Sequence, residues 1–168
     1  HFLMASYYPN IKYKTYKIVC DHVKQITPVP NTSDAVISHI FRPFISPLAY
    51  VSNNALIDIG CFVGPFSYIG PKTTLKLGAK CNIRSSIHHA SVVGKFSTIS
   101  PNSTLLGNVE LGDYCIVGAS STLRNDIKVT NQTYQSSRNL KGYHQRLDNG
   151  DLNYYTKEEL EYIETLDQ

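Results

Sequence analysis

From Ile45 onward an apolar residue returns every six positions: Val51, Ile57, Val63, Ile69, Leu75, Cys81, Ile87, Val93, Ile99, Leu105, Leu111, Val117, Leu123 and Val129. All fifteen positions are apolar. The residue four places after each is small at nearly every step, from Ala49, Ala55 and Cys61 through Ser85, Ser91, Ser97 and Ser103 to Cys115 and Ser121. Glycine often follows the apolar position directly, as at Gly64, Gly70, Gly94, Gly112 and Gly118. Such a glycine serves either unusual backbone angles or a close approach of two chain segments. An α-helix turns every 3.6 residues, so a six-residue period would smear the apolar positions around its cylinder. A single strand alternates with period two and fails as well.

Short strands joined by tight corners satisfy the pattern. Each hexad then supplies one side of a triangular prism, with the apolar residue and its small partner pointing inward. Three hexads close one coil of 18 residues, so residues 45–129 make close to five stacked coils, a hexapeptide-repeat parallel β-helix. Residues 1–44 form an N-terminal extension, where "IKYKTYKIVC" is rich in β-branched and aromatic residues and is expected to give short strands. A turn cluster, "TPVPNTS", and the short segment "DAVISHIF" follow it. Residues 130–168 lose the period. Near their end "TKEELEYIETL" has Thr156 and Glu159 in a capping-box arrangement, with Leu160, Ile163 and Leu166 on one face. This predicts a short amphipathic helix docked on the solenoid end, where it would block edge-to-edge stacking.

Composition narrows the function classes. A net charge of +3 over 168 residues argues against nucleic acid as the natural partner, although Lys12, Lys14 and Lys17 read as a local basic stripe suited to a smaller anion. No apolar run approaches the roughly 20 residues that cross a bilayer, which excludes membrane insertion by a helix and leads to the expectation of a cytoplasmic protein. Cys20, Cys61, Cys81 and Cys115 are widely spaced without a C-x-x-C pair, as buried thiols of a reducing compartment would be.

The adjacent pair His88-His89 in "RSSIHHASVVG" is the candidate chemistry. Ile87 is an inward position, so both histidines lie on a corner or outer face, either as exposed residues or as parts of a site. Two adjacent imidazoles lack the spread of ligands that a three-histidine zinc site needs, which disfavours a carbonic-anhydrase-type solenoid.

Residues 82–123, "NIRSSIHHASVVGKFSTISPNSTLLGNVELGDYCIVGASSTL", resemble the core of bacterial nucleotide-sugar N-acetyltransferases, whose coils read N-T-x-x-x-[IV]-E-H-[DE]-C-x-[IL]-G, then F-x-H-[IV]-[SA]-P, then A-G-N-V. The resemblance implies a left-handed β-helix, a homotrimer, acetyl-CoA as cosubstrate without a metal, and an amino sugar on a UDP, dTDP or GDP carrier as acceptor. Position by position it implies that Asn82 orients the sugar and that His89 is the general base. His88 either lends a hydrogen bond or contacts substrate, Gly107 supplies a backbone N–H for the oxyanion and touches the cofactor, and Thr98 occupies the place of a second family histidine in the substrate site. Gly118 and Ala119 offer backbone amides to coenzyme A, with Arg124 and Lys128 as phosphate partners.

The chain departs from the family at three points of this motif. Ala90 replaces the acidic residue after the base, His88 the preceding glutamate, and Thr98 the second histidine. A base without its carboxylate is less well oriented. The nucleotide-binding half-Rossmann domain usual at the family's N-terminus does not fit within residues 1–44, which implies a shortened version or a different acceptor. An O-acetyltransferase and a β-helix scaffold that has lost its site are the competing classes.

Overall fold

A computed structural model describes residues 9–26, 32–135 and 145–146. Beginning with β1 (Phe44–Ile45), a two-residue strand recurs every six residues through β15 (Lys128–Val129). Strands pair in parallel with the strand 18 residues further on, Phe44 with Phe62 and Ser86 with Thr104, so three sheets form the faces of a prism. The first face starts at Phe44–Ile45, the second at Tyr50–Val51 and the third at Leu56–Ile57. The last coil ends in β16 (Thr133–Gln135), which pairs antiparallel with β17 (Gln145–Arg146). This is the expected left-handed parallel β-helix of about five coils.

The inward column is fully buried from Val63 to Leu105, and continues through Leu111, Val117, Leu123 and Val129. Ile45 is 42% exposed and Val51 and Ile57 are partly exposed, because among the described residues no coil lies beneath them. The small residues have a second duty. Ser67, Ser91, Ser97 and Ser103 each donate a hydroxyl to a carbonyl 15 residues later, those of Asn82, Leu106, Gly112 and Gly118, at 2.7–2.9 Å. A hydroxyl inside the prism is thereby satisfied while locking one coil to the next.

Every corner from residue 60 to residue 132 places its second turn residue in the left-handed region, at φ between 55 and 68°, and eleven of these are not glycine, including Phe66, Arg84 and Ala90. The glycines at 64, 70 and 94 therefore serve close approach, not unusual angles. A Cβ on Gly64 would sit 2.8 Å from the Ile83 nitrogen, and one on Gly70 3.1 Å from the His88 carbonyl carbon.

The N-terminal extension is helical where short strands were expected. Helix α1 (Pro9–Ile26) and α2 (Thr32–Ile40) lie along the corner between the third and first faces. Pro9 suits a first helical turn, and Pro9, Lys12, Tyr13, Tyr16, Cys20 and Val23 recur at helical spacing against the corner residues Leu77, Phe96 and Tyr114. Tyr13 meets Phe96 and Tyr114 edge-on at 5.6 and 6.1 Å, and Tyr16 meets Phe41 at 5.0 Å. This aromatic burial outweighs the weak helix propensity of Ile, Thr, Tyr and Val.

Lys12 is 1% exposed and so leaves the expected basic stripe. Its ammonium donates to Gly78 O, Ser97 O and Thr98 Oγ1 at 2.9–3.2 Å, and burial first, then Lys80, pushes its pKa well below the usual lysine value. Residues 156–166, expected to form a helix, lie outside the described residues.

Candidate functional site

His89 is the first turn residue of the corner between the second and third faces, following strand β8 (Ser86–Ile87). The coils below and above fix this corner. Thr73 Oγ1 donates to His88 O at 2.9 Å and Ala90 N to Pro71 O at 2.9 Å. The Asn108 N–H closes on His89 O at 3.0 Å. Ser91 Oγ bridges Leu106 O and the Val109 N–H from inside.

The exposed His89 side chain reaches up one coil to lie over Gly107, which occupies the same corner position 18 residues later. A Cβ at 107 would fall inside van der Waals distance of the imidazole Cε1 and Nε2 and 3.0 Å from Nδ1. Glycine is the one residue that leaves the ring this place. At some corners an N–H without a ladder partner is met by a side chain: Asn82 Oδ1 accepts from Ile83 N at 2.9 Å and Asn131 Oδ1 from Asp113 N at 2.8 Å. The Gly107 N–H has no such partner among the described residues. The structure thus brings together an imidazole, a proton acceptor near neutral pH as a class, and an unengaged backbone donor.

His88 points along the outer second face, its Nε2 3.3 Å from Ser86 Oγ and its ring 5.7 Å from that of Tyr68, which stacks on Tyr50. Arg124 continues the same outward column two coils on and is exposed. Asn82 stands at the opposite end of β8, half-buried, with its amide oxygen already used by Ile83. Gly118 is buried and Ala119 exposed at the first–second corner of the last coil. Thr98 does not join the site: it is fully buried on the first face and bonded to Lys12. Lys128 pairs with Glu110 at 2.9 Å on the third face.

Sequence reasoning missed the groove on that third face, about 460 Å³, which starts at Val92 just past the His89 corner and is flanked by Lys76, Glu110 and Lys128. Its signal was Gly112, which lines it without a side chain.

The bacterial transferase hexapeptide family, in its six-repeat form, matches residues 90–125. The chain is 24% identical over 128 residues, 75% of its length, to GDP-perosamine N-acetyltransferase of Escherichia coli O157:H7, covering 55% of that protein. It is 30% identical over 112 residues to the bifunctional protein GlmU of Acaryochloris marina, covering 61% of this chain and 24% of that one. The chain spans about half of the first of these curated relatives and about a quarter of the second. Among solved structures, the acetyltransferase domain of PglB from Neisseria gonorrhoeae in complex with acetyl coenzyme A shares the fold, with a TM-score of 0.58 at 23% identity over 63% of this chain and 53% of that one.

Proposed function

We propose that this chain is a CoA-dependent acetyltransferase that moves an acetyl group from acetyl-CoA to the amino group of a nucleotide-linked amino sugar. The observation that carries the reading is the His89 imidazole lying over Gly107, whose N–H is unengaged. An amino sugar arrives as an ammonium, and its nitrogen attacks only after losing a proton. His89 takes that proton as general base. The nitrogen adds to the thioester carbon, the carbonyl oxygen becomes an oxyanion stabilised by the Gly107 N–H, and collapse expels the CoA thiolate, which takes the proton held by the imidazolium, while the nitrogen's second surplus proton is released to solvent as the amide forms. His88 and Asn82 border the acceptor side.

The acyl donor lies against Gly107 with Gly118, Ala119 and Arg124 in the coil beyond, Arg124 facing phosphate. The groove lined by Val92, three residues past His89, offers a bed for the donor's extended arm. Because His89 is exposed on one prism, the reading includes a homotrimer whose neighbouring subunit closes the site and excludes water. The protein works in the cytoplasm, where acetyl-CoA is supplied. The match to a GDP-perosamine N-acetyltransferase supports the acceptor class.

The test is a thermal-shift series followed by a thiol-release assay. Acetyl-CoA is expected to raise the melting temperature, as a ligand selective for the native state does. UDP-, dTDP- or GDP-linked amino sugars are expected to release CoA where their hydroxyl counterparts do not. Release with the hydroxyl sugars alone would reassign the chain to O-acetylation, no shift with acetyl-CoA would make it a scaffold, and monomers at micromolar concentration would remove the trimer.

A further inference from the structure

A second concavity lies between α1 and the third–first corner, an open cleft of about 330 Å³ with no residue in common with the His89 corner. That volume stands at the lower end of the range for small-molecule sites. Its floor is apolar, made by Tyr13, Tyr16 and the Phe96–Tyr114 stack, whose ring centroids are 5.5 Å apart. Cations stand on both banks. Lys17 and Lys24, seven residues apart on α1, fall on one face of the helix, and Lys95 is the first turn residue of the corner opposite.

Two carboxylates complete the rim: Asp21 between the helix lysines, and Asp113 one coil beyond Lys95. Asp113 Oδ1 accepts the Lys95 backbone N–H at 2.6 Å, which fixes it to the corner. The side chains of Lys24 and Lys95 are exposed and have no ion-pair partner among the described residues.

The ligand that uses all of these groups can be deduced from their chemistry. A bare anion satisfies the lysines but faces two carboxylates and leaves the apolar floor wet. A neutral ring covers the floor and leaves the lysines unused. A compound with a flat ring, hydroxyls and a phosphate matches each part, since the ring covers apolar surface, hydroxyls donate to a carboxylate, and lysines on two banks hold the phosphate.

We propose that this cleft binds a nucleoside monophosphate unit, with the phosphate between Lys24 and Lys95 and a ribose hydroxyl donating to Asp21. The site is independent of acyl transfer: a chain without acetyltransferase activity would still bind the nucleotide.

Isothermal titration of the full chain with UMP and with GMP tests it, alongside ribose 5-phosphate and inorganic phosphate. The expected result is one-site binding of at least one nucleotide, at least tenfold tighter than either ring-free phosphate. Lys24→Glu and Lys95→Glu are each expected to weaken it at least tenfold. Both positions are exposed, and a melting curve checks that the variants are folded. Should either fail to fold, Lys95→Gln removes the charge without adding repulsion and is expected to show the same loss. Absence of saturable binding, equal affinity for inorganic phosphate, or binding unchanged in folded Lys24 and Lys95 variants would each overturn the proposal.

Discussion

Gly107→Ala separates the site from the scaffold more cleanly than removal of the histidine does. The new methyl group falls where the His89 Cε1–Nε2 edge now lies. To restore ordinary carbon–nitrogen contact the ring must retreat by about 1 Å. A displacement of that size at a reacting group costs about 10²-fold in rate, or about 2.7 kcal/mol of barrier. Nothing else in the corner has to move, because the methyl meets a side chain and not the neighbouring backbone. Gly107 has no positive φ, so alanine is conformationally allowed there. Reduced freedom of the unfolded chain would even stabilise the fold by about 0.4–1 kcal/mol. The backbone N–H is retained, which leaves the proposed oxyanion donor in place.

Turnover by CoA release, read beside a thermal melt, is therefore expected to show a variant about a hundredfold slower and at least as stable as the parent. In a His89→Ala background the same change is expected to cost nothing further, since there is no ring left to displace. A full additional loss in that background, or full activity of the single variant, would refute the idea that Gly107 exists to seat the imidazole.

His89→Ala is expected to lower turnover by about 10²–10⁴-fold and His88→Ala by less, since His88 points along the second face; equal losses would remove the assignment of a single base. A third expectation concerns the thiols. Burial pushes Cys61 and Cys115 up to about 12 and holds Cys81 well above its ordinary value. The unfolded thiols ionise from about pH 9, so their contribution to stability is fully present below pH 9 and is lost as pH rises toward 12. Cys61, Cys81 and Cys115 of the native protein are expected not to react with a disulfide reagent at pH 8, and Cys115→Ser is expected to flatten the fall in urea stability between pH 9 and 11. Rapid labelling of any of those three in the native chain, located by peptide mapping, would contradict this.

The solenoid was legible because one inward side chain per hexad has no alternative to burial, and Ile45 to Val129 hold that phase without a slip. The corner of His89 was legible for the same reason, since Ile87 fixes the direction of its neighbours. What it faces was not: only coil stacking shows that Gly107 carries the ring and that its N–H lacks the side-chain cap seen at Ile83 and Asp113. Helix α1 was hidden by Lys12, a charged residue in the middle of its buried face, whose three acceptors come from residues 66 to 86 positions away. Those same contacts remove Thr98 from the substrate site. The corner glycines misled in part because Phe, Lys, Arg and Asn occupy the left-handed positions glycine usually takes.

The contact between His89 and Gly107 joins equivalent points on successive turns of a three-sided prism, so the proposed chemistry depends on angular phase around the screw and not on height along it. Adding or removing a whole turn of 18 residues below the third coil would slide the site along the axis and leave its make-up untouched. Adding or removing a single hexad between the two residues would leave every strand well formed while rotating the histidine a third of a revolution away from the glycine. A solenoid of this kind can therefore change length freely only in whole turns, and insertions that look harmless to its core can silence the site.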